Sequence, residues 1–125
     1  MIVRHAEAVA GQPDELRPLT AEGRAQARAL GERLRADGVE ADAVVSSPLL
    51  RARETARALG LGDPAVDDRL APGATPDDVR AVAETHGGTV VLVGHQPDCG
   101  RAVAVLGDGT EPPFPPCGHV TLDLP

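Results

Sequence analysis

The 125-residue sequence contains no lysine, no tryptophan and no tyrosine, and a single phenylalanine, Phe114. Its two cysteines, Cys99 and Cys117, are too few for a disulfide framework and lack C-x-x-C spacing. No apolar run approaches the roughly 18–20 residues needed to span a bilayer. Each absence removes a class of function. Nucleic-acid binding calls for a basic stripe and aromatic stacking platforms. This chain has 19 acidic against 12 basic residues, a net charge of −7. No nucleic-acid partner and no membrane partner are expected. The first ten residues already hold Arg4, His5 and Glu7, so no secretory leader is read there. A reduced, cytoplasmic setting is the expectation.

What the chain does hold is aliphatic. Ala (20), Val (14) and Leu (13) dominate, enough to bury a core and to exclude disorder. That core must be built from many small contacts. All twelve basic residues are Arg, the side chain whose planar fork matches phosphate oxygens.

Gly (14) and Pro (12) punctuate the chain at even intervals. Short apolar runs alternate with helical patterns, the rhythm of an α/β sheet. Residues 1–3 read as a short first strand, and a start upstream of Met1 is left open. Thr20 caps a first helix with Glu22 in its first turn, and Gly38 ends it. Residues 43–46 form a second strand. Pro48 opens a second helix and Gly60 closes it. A short strand is expected near 65–67. Thr75-Pro76-Asp77-Asp78 starts a third helix. Residues 89–93 are the most apolar strand. A fourth helix runs over 98–106. A proline-rich loop with Phe114 as its apolar anchor leads to a last strand at 119–124. The expected fold is one domain, residues 1–125. It is a three-layer α/β/α arrangement with a mainly parallel sheet and one antiparallel edge strand.

Three polar clusters follow strands: Arg4-His5, Ser46-Ser47-Pro48-Leu49-Leu50-Arg51 and Gly94-His95-Gln96-Pro97. In an open parallel sheet, ligands bind at the carboxyl ends of the strands. Two His and two Arg could thus share one pocket. Guanidinium forks suit phosphoryl oxygens. A neutral imidazole can attack phosphorus, and a second can stabilise the developing charge. The sequence shows neither a Walker loop nor a carboxylate cluster spaced for a metal, so no metal or cofactor is expected.

Four blocks carry a family resemblance. Arg4-His5-Ala6 resembles the R-H-G/A signature of the histidine phosphatase superfamily, the phosphoglycerate-mutase-like fold. The run 19–27 is similar to its L-T-x-x-G-x-x-Q-A helix, 47–56 to S-P-x-x-R-A-x-x-T-A, and 93–97 to V-G-H-x-P. The small size and Arg17-Pro18-Leu19-Thr20 look most like the SixA-type phosphohistidine phosphatases. The resemblance implies His5 as nucleophile, Arg4 and Arg51 as phosphoryl clamp, and His95 as fourth member. Arg17 and the backbone N–H of Gln96 are further implied contacts. Ala6 stands where Gly is commoner.

Larger members of the family carry an acidic proton donor in a long insertion, for which this chain has no room. Glu7, Asp67 and Asp68 are the remaining candidates. An imidazole leaving group needs an acid less than an alkoxide does, which leans toward a phosphohistidine substrate. The expected activity is therefore a metal-independent phosphatase acting on a phosphorylated protein. The alternatives are a small-molecule phosphomonoesterase and a non-catalytic phosphate-binding module. A monomer is expected.

Overall fold

A computed structural model describes residues 1–124. Its sheet has five strands: β1 (Ile2–Arg4), β2 (Ala43–Ser46), β3 (Pro64–Val66), β4 (Val90–Gly94) and β5 (His119–Val120). Their spatial order is β3-β2-β4-β1-β5. All neighbours run parallel except β5, which pairs antiparallel to β1 at the edge. The expected sheet is the observed one.

Four helices cover it: α1 (Ala21–Ala36), α2 (Leu50–Leu59), α3 (Pro76–His86) and α4 (Asp98–Leu106). Alternation along β4 divides the core. Val91 and Val93 face a cluster with Leu30 and Leu34 of α1 and Ala52, Ala56 and Leu59 of α2. Val90 and Leu92 face Val79 and Val82 of α3 and Ala102 and Val103 of α4. Both faces of the strand are buried, which is why 90–93 reads as a continuous apolar run. Phe114 lies in the second cluster at 4% exposure, the anchor expected of the proline-rich loop.

The abundance of small residues has a packing consequence. The buried stripe of α1 is Gly23, Ala27, Leu30, Gly31 and Leu34. A Cβ on Gly31 would collide with the Leu59 carbonyl oxygen of α2. The two helices approach closely because that atom is missing. Capping follows the sequence. Thr20 Oγ1 accepts from Gly23 N–H, Thr75 and Asp78 form a capping box, and Gly60 closes α2 at φ +64°.

Strands β1, β3 and β4 lie within one residue of expectation, and two boundaries differ by more. Helix α2 begins at Leu50 rather than at Pro48. Ser47 Oγ takes the Leu49 N–H at 3.2 Å and Leu49 stays extended, so 47–49 form a turn before the helix. The last strand covers two residues, because β1 offers only Ile2 and Val3 as partners in that register.

Candidate active site

The three strand ends supply the site. Arg4 is the last residue of β1 and His5 follows it. His95 follows β4. Arg51 sits in the first turn of α2, which leaves β2 through the 47–49 turn. A cavity of about 390 Å³ opens there, lined by Arg4, His5, Arg17, Arg51, His95 and Gln96, with Glu7 on its wall. The six residues expected to hold or attack the phosphoryl group therefore meet at one place.

The sequence blocks are the struts of this arrangement. Thr55 Oγ1 accepts the Ala6 N–H at 3.0 Å and donates to the Arg51 carbonyl at 2.8 Å. One buried hydroxyl thus ties the segment after β1 to the helix carrying Arg51. Glu54 Oε1 accepts the Leu19 N–H at 2.8 Å. Gly23 leaves room for the Glu7 carbonyl, and Gln26 Oε1 accepts the Glu7 N–H at 3.3 Å.

His5 Nδ1 lies 2.7 Å from the Ala6 carbonyl oxygen. A carbonyl can only accept, so Nδ1 carries the proton and Nε2 keeps its lone pair. Burial above all, and then the charges of Arg51, Arg4 and Arg17, push the imidazole down to about 4. It is a neutral base at pH 7. The His95 ring lies 5.3 Å from that of His5. Burial, followed by His5 and Arg51, pushes it down to about 3.

The cations are held from outside the pocket. Arg4 Nη1 donates to the Phe114 carbonyl at 2.9 Å. Arg51 Nη1 donates to the Asp14 carbonyl at 2.9 Å. Arg17 Nε donates to Asp14 Oδ1 at 2.9 Å. Three buried side-chain polar atoms among the described residues have no partner: Arg4 Nε, Arg51 Nε and His95 Nδ1. Every one belongs to a residue lining this cavity. An unmatched buried polar group costs about 1–3 kcal/mol, and here all three gather on side chains around one cavity. Among the described residues no group of three or more His, Cys, Asp or Glu could hold a metal ion.

Comparison with known proteins bears on this geometry. The family model of the histidine phosphatase superfamily (branch 1) matches residues 1–72. Phosphohistidine phosphatase SixA of Escherichia coli (strain K12) is 35% identical, over 98% of this chain and 84% of that protein. The chain belongs to the histidine phosphatase superfamily. A solved structure of the protein histidine phosphatase SixA with tungstate superposes at a TM-score of 0.82. The identity is 29%, covering 93% of this chain and 81% of that one. An uncharacterized protein of Picosynechococcus is 35% identical over 74% of this chain, which spans 61% of that relative's length. By family and by fold the chain is an enzyme of the phosphatase class.

Within this histidine phosphatase the candidate acids separate. Glu7 lines the cavity and accepts from Thr20 Oγ1 at 3.0 Å. Asp67 and Asp68 are not among the lining residues. Asp67 is held by Arg69 at 2.7 Å, and that guanidinium keeps its carboxyl below the usual range, an anion with no proton to give. The Gln96 side chain turns back onto α4, accepting from Gly100 N–H at 2.8 Å. Three participants escaped sequence reasoning: Asp14, Ser47 and the Phe114 carbonyl. Asp14 resembles any exposed loop acid, and a backbone carbonyl has no signature. For Ser47 a signal existed, its fixed place in the S-P-x-x-R block.

Proposed function

We propose that this chain is a phosphatase that works through a phosphohistidine intermediate on His5. The observation that carries the reading is the cluster of unmatched buried nitrogens, Arg4 Nε, Arg51 Nε and His95 Nδ1, around an imidazole whose Nε2 lone pair is free. In the first step that lone pair attacks phosphorus. The bond from phosphorus to the leaving atom breaks, and the leaving atom keeps its electron pair. The guanidiniums and the His95 N–H bind the equatorial oxygens as charge shifts onto them. In the second step water attacks the phospho-imidazole. The P–N bond returns its pair to Nε2, and phosphate leaves with the water oxygen. The water proton passes to solvent. In this reading one domain, residues 1–125, carries both steps.

The substrate favoured is a protein phosphohistidine. Its leaving nitrogen protonates near pH 6.5 and has little need of a positioned acid. The SixA relative named above supports this choice. Phosphoryl charge is met by arginines, and we expect activity without a metal. A small phosphomonoester is the second reading, because Glu7 sits on the cavity wall where it could protonate an alkoxide.

Rapid quench with a ³²P-labelled phosphohistidine protein tests the proposal. An acid-labile phosphoenzyme should form in the native chain and be absent from His5→Ala. Turnover by His5→Ala would overturn the mechanism, and faster turnover of phosphate esters than of phosphohistidine would transfer the assignment to the second reading. A native chain that binds substrate and never becomes labelled would be a binding module.

A further inference from the structure

Ser47 is buried at the end of β2, with 0% exposure. Its hydroxyl lies 2.7 Å from His95 Nε2. It does not line the cavity. We infer that Ser47 is a positioning residue: its O–H donates to His95 Nε2 and fixes the tautomer that presents Nδ1–H to the phosphoryl group. This rests on the phosphatase reading above and deepens it.

The assignment follows from counting. A hydroxyl has one proton and two lone pairs. Among the described residues Ser47 Oγ has two neighbours within hydrogen-bond reach, the Leu49 N–H at 3.2 Å and His95 Nε2. Leu49 occupies one lone pair. Were Nε2 also a donor, it would fill the second, and the buried hydroxyl proton would have no acceptor. That costs about 1–3 kcal/mol. With the hydroxyl donating instead, Ser47 and Nε2 are both satisfied. The proton of the neutral ring then sits on Nδ1, the nitrogen that has no partner in the protein.

Electrostatics selects the same form. His95 shares the cavity with Arg4 and Arg51, groups suited to hold an anion. A lone pair on Nδ1 would repel that anion, whereas an N–H attracts it. Burial keeps the ring neutral, so a tautomer, not a second proton, must supply the donor. Ser47 lies outside α2, where its Oγ holds the Leu49 N–H and reaches His95 at once.

The direct test is the protonation state of each His95 ring nitrogen in the ¹⁵N-labelled native chain at pH 7. Nε2 should be unprotonated and Nδ1 protonated. The reverse would overturn the assignment while leaving the phospho-His5 reading untouched, since labelling of His5 is a separate measurement. Kinetically, Ser47→Ala should lower kcat about 10- to 100-fold with KM little changed, because a misaligned donor is missed most in the transition state. The His95 nitrogens should lose their preference in that variant. Ser47→Thr, which keeps the hydroxyl, should recover most of kcat. Equal kcat loss in Ser47→Ala and Ser47→Thr, with the native tautomer kept in both, would reduce Ser47 to a packing residue and overturn the inference.

Discussion

Asp14 and Arg51 meet twice across 37 residues of sequence: Arg51 Nη1 donates to the Asp14 carbonyl at 2.9 Å, and Nη2 to its Oδ2 at 3.3 Å. The same carboxylate also holds Arg17 at 2.9 Å. Its own pKa is held low, by Arg17 first and then by Arg51. Two of the pocket's three guanidiniums thus share one exposed carboxylate. A phosphoryl group must draw on cations that Asp14 already partly neutralises.

Asp14→Asn removes that charge and keeps an oxygen that can accept. Solvent around the exposed carboxylate screens its pull on the two guanidiniums, so the effect is modest. The variant should bind phosphate or tungstate more tightly by calorimetry. Weaker binding would make Asp14 a strut that aligns Arg51 rather than a competitor.

Arg51 is at 6% exposure and its Nε is unmatched. Loss of one donor aimed at developing charge costs about 10²–10³ in kcat. Arg51→Ala should show that loss. Arg51→Lys should recover little, because an ammonium cannot span Asp14 and the ligand together. A lysine variant with near-native kcat would mean that only the charge matters.

The two histidines set the response to acid. Each has a folded pKa below its unfolded value near 6.5, about 4 for His5 and about 3 for His95. Below pH 6.5 the unfolded chain therefore binds more protons than the folded one. Stability is unaffected by these groups above that pH and falls as pH drops toward 4 and then 3. Melting temperature should decline through this window, and less steeply in His5→Gln. The kcat/KM profile should stay level until its acid limb near about 4, where Nε2 takes a proton. A limb centred at 6.5 would mean that His5 is not desolvated.

Gly31 tests the packing of the helical layer away from the cavity. A methyl there meets the Leu59 carbonyl, a backbone atom that cannot rotate aside. Gly31→Ala should cost about 1–3 kcal/mol in urea unfolding. The propensity gain of Ala in a helix is smaller, about 1 kcal/mol. A stabilised variant would mean that α1 and α2 separate at little cost.

Chelation tests the electrostatic assignment. With arginines meeting the phosphoryl charge, EDTA should leave turnover unchanged. Loss of activity on chelation, restored by a divalent ion, would require a metal in the reaction.

Much of this could be read along the chain, because local rules act there. The caps at Thr20 and Thr75, the stop at Gly60 and the buried run 90–93 are decided by side chains a few residues apart. Strand ends in a parallel sheet point to one edge, so Arg4-His5 and Gly94-His95 could be placed together before any distance was known. The contacts that finish the site are of another kind. Arg4 reaches Phe114 across 110 residues, Arg51 reaches Asp14 across 37, and Ser47 reaches His95 across 48. Each depends on where two distant backbones stop relative to each other, and no periodicity records that. The sequence by itself determined which residues carry chemistry and on which sheet edge they gather. Only the tertiary structure decided which of their hydrogen-bonding atoms are already engaged. The buried atoms left unmatched, Arg4 Nε, Arg51 Nε and His95 Nδ1, belong to side chains that remote segments already hold through other nitrogens: Arg4 by Phe114, Arg51 by Asp14 and His95 by Ser47.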